Sequence, residues 1–483
     1  MRSCLLLVVC CALLGCAAID PYTQAPVAQR LQRGDELGDC AQRFLASDRL
    51  IDAAGTRDAQ ALRVPGFPHL RVDRVLAALA PGPETTAQRA WAWKEELAAL
   101  DAAARRFELA NTESDGAALA DSLAACRYLL TRADQYALPE LIEAARVPDD
   151  YSISMRTLGL YPLTRHAFAA GVRGWQRATL KEFAAQAVAD PASHRRVRYA
   201  ATEQMVALPT LMGSSLLGLP TFPPSTLKRL IVRHAPHFEI ETASDDDRPG
   251  ALVWQHDATG WLSIAVAPER PVLYVRTGHT YFGGRWLLQL IYTLWFPARP
   301  PAHAYDVLAG RLDGLLWRVT LADDGKPLVY DTIHPCGCYH LFIPTEWVRP
   351  RPQPETVDEG LFAPQTLRSP VANERVVLRL AAVTHYLQQV AVASARHEDA
   401  LALALRDDDE LRALPLPDGG TRSAFAADGL IVGSERLERF YFWPMGVASA
   451  GQMRQWGRHA TAFVGRRHFD DPLLIDRYFE RLP

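Results

Sequence analysis

The sequence predicts an α+β fold, with a helical N-terminal module followed by a C-terminal domain built on a mixed, mainly antiparallel sheet. Three observations predict it. Apolar residues recur at helical spacing through Trp91–Phe107 and in later stretches, with no breaker inside them. Beyond Pro236 the composition shifts to short alternating runs rich in β-branched and aromatic residues. Finally, Leu315–Leu321 and Pro327–Ile333 flank Ala-Asp-Asp-Gly-Lys, whose Asp-Gly pair favours a tight turn and hence a hairpin.

Taken in order, residues 31–236 read as the helical module. Helices are expected at Trp91–Phe107, Ala117–Leu130, Leu138–Ala145, Arg165–Val188 and Arg195–Ala207. The Pro/Gly-punctuated stretch Gly218–Pro224 breaks the run. Within 237–483, strands are expected at Phe238–Thr242, Ala251–Gln255, Trp261–Val266, Val272–Arg276, the hairpin, Arg375–Leu380, Tyr386–Ala393 and Arg439–Trp443. The apolar run Trp286–Phe296 reads as a buried core helix, since a bilayer span takes about 20 apolar residues.

Hydrophobic residues make up 49% of the chain, enough for a sizeable core, and the formal charge is −3, which does not select nucleic acid as a partner. There is no Gly-x-Gly-x-x-Gly after a strand, no P-loop and no His-Glu-x-x-His, so nucleotide-cofactor and zinc-protease chemistry find no motif.

The N-terminus has a basic Arg2, an apolar run Cys4–Leu14 and then Leu13-Leu14-Gly15-Cys16, the layout of a secretory signal. Leu-Leu-Gly-Cys resembles the lipobox of bacterial lipoproteins. The resemblance implies removal of residues 1–15, lipidation of Cys16 and a lipidated tether over 16–30. With Ala17 rather than Asp after the cysteine, it implies a cell-envelope component on the outer membrane, facing the periplasm, whose partner is the bilayer itself. An ordinary secretory signal cut near Ala17 is the alternative.

Four of the eight cysteines belong to the leader and lipobox, leaving Cys40, Cys126, Cys336 and Cys338. In an oxidising compartment, Cys40 and Cys126, both in the helical half, are expected to form a structural disulfide.

The densest chemistry is His334-Pro-Cys336-Gly-Cys338-Tyr-His340, four ligand-type side chains on alternate positions just after the hairpin. Extended, the string holds the two histidines roughly 20 Å apart, too far for one ion, but Pro335 and Gly337 suit a tight curl. Three readings stand side by side. The loop holds zinc or copper, with Asp331 orienting a ligand histidine and His279 completing the set; a cysteine is a nucleophile activated by His334 or His340; or the loop is structural. The string is similar to the His-Gly-Cys-x-Arg motif of L,D-transpeptidases, but Pro-Cys-Gly-Cys replaces His-Gly-Cys and the arginine is missing.

A second block, Arg454, Arg458, Arg466, Arg467 and His468, is expected either to grip carboxylates or phosphates or to be neutralised by Glu435, Asp470 and Asp471. His468 and Asp470 are further candidates to partner the 334–340 loop. Residues 312–347 and 433–472 resemble stretches of uncharacterised proteobacterial proteins, a resemblance that carries no activity. The expected function is thus a membrane-anchored envelope lipoprotein with a structural His/Cys loop, the alternative being a zinc-, copper- or thiol-dependent envelope hydrolase.

Overall fold

The computed structural model describes residues 20–112, 116–186, 195–201, 213–395 and 399–482; the expected leader and lipidation site at Cys16 lie outside them. Among the described residues no helix is long and apolar enough to cross a membrane. The fold is α+β, a helical N-terminal region followed by a large curled mixed sheet.

In the N-terminal module, helices α1 (Glu36–Ala54), α2 (Ala87–Ala110) and α3 (Gly116–Ala133) surround a hairpin that the helical reading missed, β1 (Leu62–Val64) and β2 (Phe67–Val72). Asp35 caps α1 through the Gly38 amide, and Thr86 caps α2 through that of Arg89. Phe67, Leu70 and Val72 pack under Trp93 and Leu97 of α2. The same strand buries Arg71, which reaches Glu108 at 2.6 Å and Asp101 at 3.2 Å. Asp101 also binds Arg105 and Arg127, and Arg105 binds Asp48. Charges persist at such depth because each is paired. Cys40 of α1 and Cys126 of α3 form the expected disulfide. Residues 20–30 are not an extended tether: Tyr22 and Val27 are buried against α1, and the Tyr22 hydroxyl donates to Asp48.

The long helix α4 (Tyr161–Gln186) leads to strands β3 (Arg195–Ala201), β4 (His237–Thr242), β5 (Ala251–His256), β6 (Leu262–Ala267), β7 (Val272–Phe282), β8 (Arg285–Arg299), β9 (Gly310–Leu321), β10 (Pro327–Ile333), β11 (Leu341–Pro344), β12 (Glu374–Leu380), β13 (Leu387–Ser394) and β14 (Leu401–Asp407); helix α5 (Pro224–His234) lies between β3 and β4. Ten of the strands form one sheet in the order β11-β10-β9-β8-β7-β14-β3-β4-β12-β13. Its pairs are antiparallel except three: β14 runs parallel to both β7 and β3, and β12 runs parallel to β4. The Asp-Gly hairpin is β9–β10, with Gly325 at φ +77°.

Three expectations are corrected. Trp286–Phe296 is strand, not helix. In β8, Leu288, Leu290, Tyr292, Leu294 and Phe296 face a core capped by α4 and α5, while Leu287, Ile291 and Trp295 face the C-terminal segment. A strand covered on both faces has no polar side and reads as an unbroken apolar run. Residues 195–201 are strand β3 rather than the start of a helix, held by the cross-strand ion pairs Arg198–Glu239 and Arg196–Glu241. Because β3 sits inside the large sheet, the sheet does not begin at residue 237. Arg439–Phe442 is a helical turn, with the amides of Tyr441 and Phe442 donating to the Glu438 carbonyl, and its aromatic rings at 440 and 441 are exposed rather than paired in a sheet.

The Cys40–Cys126 bridge links residues 86 apart, so it restricts the unfolded chain strongly. The Cys40→Ser/Cys126→Ser protein is expected to lose about 4 kcal/mol, read as a lower denaturation midpoint with a steeper slope, because the unbridged denatured chain is less compact.

Candidate functional site

The 334–340 loop does curl. The His334 amide donates to the Cys338 carbonyl at 3.0 Å and the Gly337 amide to the His334 carbonyl at 2.8 Å. Gly337 takes φ +90°, and a Cβ there would lie 2.4 Å from the Ala460 carbonyl oxygen. The curl separates the four side chains instead of gathering them. His334 Nδ1 meets Asp313 Oδ1 at 3.0 Å, whereas His340 Nε2 meets Asp331 Oδ2 at 2.9 Å, and Asp331 is itself gripped by Arg318. Cys336 and Cys338 are free, buried thiols packed with Leu312, Ile431 and Met453. Their mutual hydrogen bond and burial push the Cys338 thiol well above its ordinary range, so it stays protonated.

The expected metal set is therefore not assembled. Among the described residues no group of three or more His, Cys, Asp or Glu is placed to hold an ion. His279 pairs with Leu288, and Asp313, the partner of His334, pairs with Phe296. Eight residues of β8 separate those two positions, roughly 26 Å. Burial alone lowers His279 to about 4, in keeping with a neutral, half-buried histidine.

The C-terminal block is a structural network rather than an anion site. Arg454 donates to the carbonyls of Cys336, Ala448 and Ser449, tying the loop to the C-terminal segment. Arg458 pairs with Asp150, Arg466 with Asp149, and Arg467 with Glu359 and the carbonyls of Thr461 and Gly360. His468 lies 3.4 Å from both Asp149 and Asp150. Asp470 pairs with Arg74, so neither His468 nor Asp470 partners the 334–340 loop. Except for the Asp471–Arg477 pair, which lies outside the block, the neutralising groups come from residues 149, 150 and 359 and from main-chain carbonyls.

What the fold does assemble is a buried chain of ionisable groups that the sequence hid. Asp313, on β9, receives His334 Nδ1 on one oxygen and His385 Nδ1 on the other, each at 3.0 Å, with Arg436 Nη2 at 3.4 Å. The far nitrogen of His385 is 3.3 Å from Asp247, whose carboxylate also accepts three backbone amides. The His385 ring stacks on Phe296 at 3.9 Å. Burial opposes the charge on His385, but its two flanking carboxylates outweigh burial and raise it, which favours its protonated form. His334 goes the other way, lowered by burial and by the nearby arginines Arg299 and Arg436 against the pull of Asp313. Four non-glycine residues of this region hold left-handed backbone: Leu312, Tyr339, Val383 and His385, at φ between 52° and 66°. Such strain is held only where surrounding contacts over-determine it, and it concentrates at functional sites.

In front of this chain lies a cavity of about 490 Å³. Helix α4 forms one wall through Phe168, Val172 and Trp175, and Phe362, Phe442 and Phe463 close the others. The floor is the loop, with Tyr339 and Tyr386 at its polar end. Tyr386 accepts from Arg299 at 3.1 Å. Glu438 also faces the cavity, and burial raises it to about 7 although Arg436 and Arg299 pull it down. The size and the few convergent polar groups are those of a small-molecule site. Comparison with family models, with characterised proteins and with solved structures finds no match for this chain.

Sequence reasoning found His334, Cys338, His340 and Arg467 but not Asp313, His385, Asp247, Tyr386 or Glu438. The one signal on offer was left-handed strain, which appears only in the folded backbone.

Glu438 binds its proton more tightly folded than unfolded, since about 7 exceeds the ordinary 4.5. Its cost to stability is therefore absent at low pH, grows as pH rises from 4.5 and is complete above about 7. Glu438→Gln is expected to match the parent protein below pH 4.5 and to be up to about 3 kcal/mol more stable at pH 8, measured by denaturant titration across that range.

Proposed function

We propose that this chain is an acylated envelope lipoprotein that binds a small, mainly apolar molecule in the cavity above the 334–340 loop, with the loop's cysteines in a structural role. One observation carries the binding reading: a ligand-sized, aromatic-walled cavity of about 490 Å³ lined in part by that loop. The thiols support a structural role: both are buried among apolar side chains, and Cys338 is held protonated. Placement in the envelope rests on Leu13-Leu14-Gly15-Cys16, and a disulfide between Cys40 and Cys126 is in keeping with an oxidising compartment.

Gly171 of α4 offers a clean test. It lines the cavity, and a Cβ built on it meets no atom within 4 Å. Gly171→Trp should fill the cavity while favouring the helix. In the Cys16→Ala chain, which carries no acyl anchor, N-phenyl-1-naphthylamine is expected to bind at one site, and Gly171→Trp to weaken it by at least about tenfold with an unchanged circular dichroism spectrum. Equal binding by both proteins would sink the reading. For the anchor, labelled palmitate should enter the parent chain and not Cys16→Ala; label in both would move the acyl group off Cys16.

A further inference from the structure

Beside the ligand cavity lies a second, much smaller one of about 20 Å³, bordered by His334, Thr332, Trp175, Tyr339 and Tyr386. It is large enough for a single water, which needs about 10–15 Å³. Trp175, Tyr339 and Tyr386 border both cavities, so the two share a wall. His334 meets the two phenols edge-on, with ring centroids 5.1 Å and 5.7 Å away.

The protonation pattern there is directional. Asp313 is held ionised, well below the carboxylate range, by His334 and Arg436 against its burial. His334 Nδ1 therefore donates to Asp313, and Nε2 is left as an acceptor on a neutral ring. His385, wedged between Asp247 and Asp313, fixes the orientation of the Asp313 carboxylate. Burial keeps the phenols of Tyr339 and Tyr386 protonated, and Tyr339 donates to Tyr386, which leaves the Tyr386 proton to donate onward.

We propose that Asp313 and His334 form a general-base dyad that hydrolyses carboxylic esters with an apolar acyl group seated in the larger cavity. The inference rests on the binding reading above. His334 Nε2 takes a proton from water as the water oxygen bonds to the acyl carbon, and Asp313 stabilises the imidazolium that forms. The carbonyl oxygen, now an oxyanion, is met by the Tyr386 hydroxyl. The acyl carbon–oxygen bond to the alcohol then breaks, and the Nε2 proton passes to the departing alkoxide, giving acid and alcohol. Neither thiol takes part. His334 and Tyr386 are the catalytic residues, while Asp313, through His334, and His385, through Asp313, are positioning residues.

The test uses p-nitrophenyl butyrate and octanoate with the Cys16→Ala chain at pH 7.5, alongside His334→Gln, Tyr386→Phe and Gly171→Trp in the same background. The expected result is hydrolysis that falls at least about 100-fold in kcat in His334→Gln, less in Tyr386→Phe, and is blocked in Gly171→Trp. Fluorophore binding should survive in His334→Gln, which shows that the variant is folded with its cavity intact. The pH–rate profile should lose activity only below the ordinary histidine range, because His334 is lowered. A chain that binds the fluorophore and leaves both esters intact keeps the cavity and overturns the dyad. Hydrolysis that persists in His334→Gln overturns the dyad as well. A chain that neither binds nor hydrolyses overturns both readings.

Discussion

The Asp313 carboxylate, fully buried at the start of β9, holds three segments that are far apart in sequence: His334 in the loop after β10, His385 in the turn between β12 and β13, and Arg436 before the C-terminal helical turn. An unpaired charge at that depth would cost several kcal/mol, so the carboxylate forces its partners to converge and each partner is trapped by it in turn. The left-handed backbone at Leu312 and His385 is the local cost of that convergence. The cavity floor, the orientation of His334 and the course of the C-terminal segment all follow from satisfying this one group. The N-terminal module uses the same device on Asp101, which holds Arg71, Arg105 and Arg127 and so locks β2 between two helices.

How much of this was legible in the sequence depends on whether the deciding contact is local. The β9–β10 hairpin was legible because its turn chemistry and its alternation lie within twenty residues. The long helices were legible because period and breakers are local too. β8 was not, since burial on both faces erases alternation and leaves only an apolar run that helix and strand share. β3 was misread because its arginines are spent on glutamates of β4, some forty residues away.

The candidate site divides along the same line. The reactive side chains of 334–340 stand together in sequence, but what each one does is set by a carboxylate elsewhere: Asp313, 21 residues from His334, and Asp331, 9 residues from His340. Sequence proximity suggested one metal set; tertiary partners split it into two separate Asp–His pairs. The same holds for Arg454, whose charge suggested a ligand for anions and whose Nε and Nη2 donate to main-chain oxygens of the loop and its neighbours.

β8 has a consequence for how the chain reaches this state. Trp286 to Phe296 is an eleven-residue window with no charge and no proline, rich in β-branched and aromatic residues, the composition that stacks into intermolecular β-structure. In the finished fold β7 and β9 occupy both of its edges. β7 precedes it by a two-glycine turn, but β9 does not begin until Gly310, so one edge stays open for longer than the other. The order of strand pairing thus governs self-association during folding: whatever delays closure of β9 onto β8 exposes a sticky edge, and whatever shields that edge, a holdase chaperone included, protects the yield of native protein.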